Sequence, residues 1–331
     1  MIRIAVDAMG GDHAPSSIID GALAAARHLD LGLDLAGPAD VIRAELARHP
    51  DAGHLSIRIL DAPDVVGMTE SPTAALRRKS RASIRVAAES VASGSAAALV
   101  SAGHTGATVM AAHGAFGMLP GVDRPALAAT IPSGDRLGIL LDVGANVECR
   151  SQHLLQFAAM GAVYAKVSFG VKHPRIGLLS IGEEEGKGNE LIRDAHRLLK
   201  ASTLNFIGNV EAREVYKGNA DVIVCDGFTG NIALKASEGL VETVERLLEE
   251  ELNRTFSGMV GSLLSRRAFR RFRRRLDYSE YGGAPLLGVA GVCIVGHGRS
   301  SAKAVRNAVA MAHRFATAGF LQRVEHEIAA A

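Results

Sequence analysis

The sequence predicts an α/β protein built on a mainly parallel sheet covered on both faces, and three observations carry that prediction. A short apolar run, a Gly-rich polar loop and a helical pattern follow one another six times along 331 residues. The runs are continuously apolar rather than alternating, as expected of strands buried on both sides. With 48% hydrophobic residues, 36 glycines, no tryptophan and 4% aromatics, the composition suits a core packed from Ala, Val, Leu and Ile.

In chain order, IRIAVD leads into the loop AMGGDHAP, and AALVS leads into AGHTGA. GILLDVGAN precedes the helical pattern SQHLLQFAAMGAVYA, and RIGLLS precedes IGEEEGKGNE and ELIRDAHRLL. VIVC leads into DGFTGNIALK, and VCIV leads into GHGRSSAKAV. In sheets of this type ligands bind outside the carboxyl ends of the strands, so the polar loops are expected to converge on one cleft. No low-complexity linker divides the chain, and residues 1–331 read as a single catalytic domain.

Residues 238–282 depart from the repeat. Leu240, Val241, Val244, Leu247, Leu248 and Leu252 recur at helical spacing opposite a glutamate-rich face. TFSGMVGSLLS follows, and then RRAFRRFRRR, whose helical projection places Phe269, Phe272 and Leu276 in one sector. This segment is expected to form a projecting helical hairpin with an apolar tip and a basic second limb.

Net charge is +2, but seven arginines lie between Arg266 and Arg275, and without them 30 basic residues face 35 acidic ones. A patch so localised calls for an acidic partner. Beside an apolar tip, an anionic membrane surface met through residues 255–276 is the expected partner, with an acidic protein, or a solvated face whose Phe and Leu residues pack in a dimer, as the alternatives. No nucleic-acid module is evident, and none is expected. The N-terminus lacks a secretory apolar region and no run reaches the ~18 residues of a spanning helix, so a cytoplasmic location is expected.

Several chemistries find no support. GEEEGKG lacks the hydroxyl residue that a nucleotide-binding P-loop needs after its lysine, and its three glutamates would repel a nucleotide tail. GxGxxG and GxSxG are missing, which argues against a nicotinamide enzyme and a serine-triad hydrolase. Cys149, Cys225 and Cys293 are widely spaced and no HExxH occurs, so neither disulfide nor metal is expected. Cys225, inside VIVC, is expected to be a buried inert thiol.

The loops supply the candidate residues. The first offers Asp7, Gly10, Gly11, Asp12 and His13, with His13 suited to proton transfer or anion pairing. Ser101, His104, Thr105 and Gly106, and again Asp226, Gly227, Thr229, Gly230 and Asn231, place hydroxyls and small residues at helix N-termini, which attract anions. Lys235, four residues after Asn231, shares its helix face. Asp142 and Asn146 mark another polar strand end. In GEEEGKGN, Lys187 suits one phosphate, a glutamate such as Glu183 can orient a partner or take a proton, and Asn189 follows.

Assembled, VDAMGGDHAP, SAGHTGA, RPALA, LDVGAN, QFAAMG, IGEEEGKGNE, GFTGNIALK, YGGAPLLG and a late HG at His297 span nearly the whole chain. On these motifs the chain resembles the bacterial phosphate acyltransferases that act on acyl-acyl-carrier-protein. The resemblance implies transfer of a fatty acyl group from the carrier-protein thioester to inorganic phosphate, giving acyl phosphate for phospholipid synthesis. It also implies a three-layer α/β/α fold related to isocitrate dehydrogenase and phosphotransacetylase, a homodimer, and peripheral membrane association. On that reading His13, Glu183, Lys187 and Asn231 form the catalytic group, the other loop residues and His297 bind substrate, and no cofactor is needed. His104 stands where the family carries asparagine, and Ser180 departs in the same way. Two competing readings are a phosphotransacetylase-like enzyme using acyl-coenzyme A and a lipid- or carrier-binding regulator that kept the fold.

Overall fold

The computed structural model describes residues 1–267, 269 and 281–330. Phe272, Leu276 and the arginines from Arg270 to Arg275, expected in the second limb of the hairpin, lie outside the described residues.

The strands are β1 (Ile2–Asp7), β2 (Leu31–Gly37), β3 (Ile57–Asp61), β4 (Ala98–Ser101), β5 (Ala126–Ser133), β6 (Arg136–Leu141), β7 (Ile176–Ser180), β8 (Phe206–Glu211), β9 (Val222–Val224), β10 (Ala284–Leu287) and β11 (Val292–Val295). Among the described residues they form one eleven-stranded sheet in the order β3-β2-β1-β4-β11-β10-β5-β6-β9-β7-β8. Strand periodicity divides their side chains between two cores. Ile4, Val6, Ile139, Leu141, Val222 and Ile294 face one side, while Ala5, Leu140, Ile223 and Cys293 face the other. Both sets are buried, which explains the continuous apolar runs.

The helices are α1 (Ser16–Ala26), α2 (Ala39–Leu46), α3 (Pro72–Arg78), α4 (Ser83–Ala92), α5 (Thr105–Phe116), α6 (Ser151–Phe169), α7 (Glu190–Ala201), α8 (Gly227–Asn253), α9 (Phe256–Leu264), α10 (Ala302–Thr317) and α11 (Phe320–Ala330). Helices α1, α6 and α10 cover the first face of the sheet, and α4 and α5 cover the second. Helix α6 is buried nearly all round from His153 to Ala165, as its lack of a polar stripe requires.

The sheet is mainly parallel, with one reversal that shapes the site. β10 pairs antiparallel with β11 and with β5, and β5 turns through Gly134 and Asp135 into antiparallel β6. β6, β9, β7 and β8 are mutually parallel but run opposite to β1, β4 and β11. The two parallel sets therefore run in opposite directions on either side of β10 and β5.

Helix α8 runs unbroken for 27 residues, so the first limb expected from residue 238 is the outer part of a helix that starts at Gly227. Leu240, Val244 and Leu247 on it are exposed in the single chain, as are Leu263 and Leu264 on α9. No helix among the described residues is long and apolar enough to cross a membrane.

Candidate active site

Five of the six loops contribute to an open cleft of about 640 Å³ between the two halves of the sheet. Asp12 follows β1, Thr105 and Gly106 begin α5, and Gly144 and Ala145 follow β6. Asn231 and Lys235 project from α8, and His297 and Arg299 follow β11. The loop after β7 does not line this cleft. Apolar side chains also line the cleft, among them Met68, Val109, Met110, Leu127 and Val143.

Close backbone contact holds the loops together. The Asp12 N–H donates to the Gly298 carbonyl at 2.8 Å. A Cβ on Gly10 would lie 2.7 Å from the Gly103 nitrogen, and Gly11 takes φ +113°, so this crossing requires glycine at both places. On the other side, Cβ atoms at Gly227 and Gly230 would lie 2.5 Å from the Asn146 carbonyl and 1.9 Å from the Asp142 carbonyl. The first turn of α8 therefore rests directly on the LDVGAN loop.

Three aspartates singled out by sequence hold other groups in place. Asp7 is 3% exposed and accepts from the Ser101 hydroxyl at 2.8 Å and the Met9 N–H; burial pushes its carboxyl above the usual range. Ser101 is itself buried and accepts from the Gly103 N–H. Asp142 is fully buried and accepts from the N–H groups of Leu127, Gly144, Ala145 and Asn146 and from the Asn146 amide. Burial raises its pKa, while those donors act in the opposite direction. The amides of the Gly144–Asn146 turn thus point inward, and the Asn146 amide also donates to the Pro125 carbonyl. Asp226 caps α8, accepting from the Thr229 N–H and hydroxyl, each at 2.8 Å.

His104 has the equivalent role on α5: its Nδ1 accepts from the Gly106 N–H at 3.1 Å, the hydrogen bond of an N-cap. His13 is exposed at the mouth of the first loop and outside the cleft lining. Glu183 and Lys187 are exposed on the loop after β7. There the Lys187 N–H donates to the Glu184 carbonyl, Glu185 pairs with Lys200 at 2.8 Å, and Asn189 caps α7 through the Ile192 N–H.

The polar part of the cleft lining is thus made of side chains. Lys235 Nζ lies 2.7 Å from Glu238. Burial, reinforced by the charges of Lys235 and Arg299, holds His297 below the usual imidazole range, against the opposing pull of Glu238 and Asp12. The His297 Nδ1 accepts from the Arg299 N–H at 3.2 Å, so the neutral ring carries its proton on Nε2. Arg299 and Glu238 were not singled out by sequence. Arg299 has a visible signal, a cation in GHGRSS directly after an apolar run, whereas His297 is marked only by the family resemblance. Burial raises all three thiols: Cys225 is 1% exposed with its thiol pushed well up, Cys149, only half-buried, is lifted to about 11, and Cys293 to about 12.

Comparisons with known proteins agree with this architecture. The model of a family described as fatty acid synthesis protein matches residues 2–323. A phosphate acyltransferase of Acidobacterium capsulatum is 50% identical over 327 residues, covering 99% of this chain and 97% of that protein. One from Geobacter sp. strain M21 is 48% identical, covering 99% and 93%. Among solved structures, a phosphotransacetylase from Streptococcus pyogenes superposes with a TM-score of 0.65 at 18% identity, covering 96% of this chain and 94% of that one. The EutD phosphotransacetylase from Staphylococcus aureus gives 0.61 at 17% identity, covering 95% and 94%. The two structures share the three-layer α/β/α fold, and the end-to-end sequence match settles the family: the chain belongs to the fatty acid synthesis protein family, alongside these phosphate acyltransferases.

Proposed function

We propose that the protein is a phosphate acyltransferase that moves a fatty acyl group from acyl-acyl carrier protein to inorganic phosphate, giving acyl phosphate for phospholipid synthesis. The observation that carries this reading is one cleft whose lining combines Asn231, Lys235, His297 and Arg299, with the carboxylates Asp12 and Glu238, and the apolar Met68, Val109, Met110, Leu127 and Val143. That combination suits a phosphate anion meeting an acyl thioester. A thioester is already activated, so phosphate oxygen attacks its carbonyl carbon directly. The C–O bond forms, the C–S bond breaks, and the phosphate proton ends on the departing thiolate. Thiols raised by burial agree with a route that has no acyl-enzyme.

In this reading Asn231, Lys235, His297 and Arg299 hold the phosphate. Donors aimed at the developing oxyanion are each worth ~3 kcal/mol in such reactions. The inward-facing amides of the Gly144–Asn146 turn leave this task to side chains. Neutral His297 suits the transfer of the phosphate proton. Lys187, with Glu183 and His13, is a second proposed source of phosphate contacts, carried by the family motifs rather than by the cleft of a single chain.

Measuring turnover against phosphate concentration separates the two sources. Asn231→Ala and Lys235→Ala are expected to raise the phosphate KM about tenfold or more. The same rise in Lys187→Ala brings the loop after β7 into the site, whereas unchanged phosphate kinetics removes it. Comparing acyl-acyl carrier protein with acyl-coenzyme A, and long chains with acetyl, tests the donor. A clear preference for acetyl-coenzyme A overturns the carrier-protein assignment. We further propose a cytoplasmic homodimer that meets anionic membrane through residues 255–276.

A further inference from the structure

The cleft does not end at Lys235. Thr130, Leu234, Glu238 and Tyr281 belong both to it and to a second hollow of about 650 Å³. This hollow extends between the outer half of β5 and the middle turns of α8. Past the shared residues most of its surface is apolar, from Ile131, Pro132, Tyr216, Leu240 and Val241, with Glu242 and Glu245 also in the lining. Ser237 offers little to a polar ligand there, because its hydroxyl already donates to the Ala233 carbonyl.

We propose that this trough binds the hydrocarbon chain of the acyl donor, with the thioester carbonyl at the Asn231–His297 end and the methyl end along α8 beside Val241. The assignment rests on the proposed reaction and adds to it the surface that measures chain length. Continuity selects the occupant. A chain fixed at the proposed phosphate site must leave the cleft, and the trough provides a contiguous, mostly apolar route out. A peptide segment would bring backbone donors and acceptors that this surface satisfies poorly, whereas a hydrocarbon needs only apolar contact, gained methylene by methylene.

The test compares butyryl- and palmitoyl-acyl carrier protein as donors, using the full chain and two variants. Val241→Trp fills the trough. Leu240→Gln makes its exposed rim polar and guards against a Val241→Trp protein that fails to fold. Each variant is expected to lower the palmitoyl-to-butyryl ratio of kcat/KM by about tenfold, equivalent to the burial of about two methylenes, with butyryl turnover nearly unchanged. A ratio unchanged in both folded variants overturns the proposal. So does a shift in oligomeric state with the ratio unchanged, which makes the trough an interface between copies. If the unmodified protein forms no acyl phosphate from either donor, the proposed function fails, but the trough remains testable by binding. Titration must then show that the variants weaken palmitoyl- but not butyryl-acyl carrier protein, and equal affinities overturn it.

Discussion

His104 shows how one side chain can satisfy a motif by an unexpected route. The position expected to carry asparagine is an N-cap, and the imidazole Nδ1 supplies the acceptor that an asparagine oxygen would supply. His104→Asn is therefore expected to keep the stability of the protein, while His104→Ala lowers it by about 1 kcal/mol in thermal or urea unfolding. His297 gives a pH prediction. Its folded pKa lies below the ordinary value of 6.5, so below that pH the unfolded chain takes up the proton first. The stabilisation from its neutral form is complete above 6.5 and is lost as pH falls through the folded value. His297→Gln should flatten that part of the stability–pH curve, and NMR of the ring should show a midpoint below 6.5. Sequence identified these strand-end residues but could not separate groups that face the ligand from groups that hold the loops. Asp7, Asp142 and Asp226 look as catalytic as Asp12 in one dimension. Only the donors around them assign their roles, and those donors come from distant segments such as Ser101 and Leu127.

Element by element, the parallel strands were legible because burial on both faces leaves an unbroken apolar run, with glycine and polar residues at its end. The reversal was less visible. Its signal is the pair Gly134-Asp135 between two apolar runs, with Gly134 at φ +59°, the conformation of a tight hairpin turn. Beyond that hairpin β6, β9 and β7 run parallel, yet the segments after β6 and β9 line the cleft and the loop after β7 does not. The helix that carries residue 238 starts earlier, at Gly227. Nothing around residue 238 stops a helix: no proline occurs, and a single Gly239 is tolerated inside α8. The inner end of α8 has the tighter requirement. An added methyl at Gly230 would lie 1.9 Å from the Asp142 carbonyl, so the first turn must move away from the LDVGAN loop. Gly230→Ala is expected to lose at least about 1–3 kcal/mol in thermal unfolding and, by displacing Asn231, to raise the phosphate KM. Gly239→Ala, whose added methyl would meet no atom within 4 Å, is the matched control and should leave both measurements unchanged or slightly improved.

At the scale of the whole molecule, two kinds of surface meet on the arm formed by α8 and α9. Leu240, Val244 and Leu247 are 65%, 45% and 49% exposed, and Val260, Leu263 and Leu264 are 41%, 67% and 81% exposed. So much apolar surface along one projection calls for a covering partner. The arginines from Arg266 onward place a cationic segment directly after the apolar tip, on a chain whose remaining residues carry more acidic than basic groups. The proposed membrane contact should therefore be confined to residues 255–276. The protein is expected to float with vesicles containing anionic lipid and to sediment free of neutral ones. Raising the salt concentration should weaken that binding, because each basic residue near such a surface contributes about 1 kcal/mol that is screened over a Debye length. Changing Val260, Leu263 and Leu264 together to serine should release the protein from anionic vesicles at low salt, with turnover on soluble acyl-acyl carrier protein retained. If the triple variant still floats, the apolar tip packs against protein and the arginines act without it.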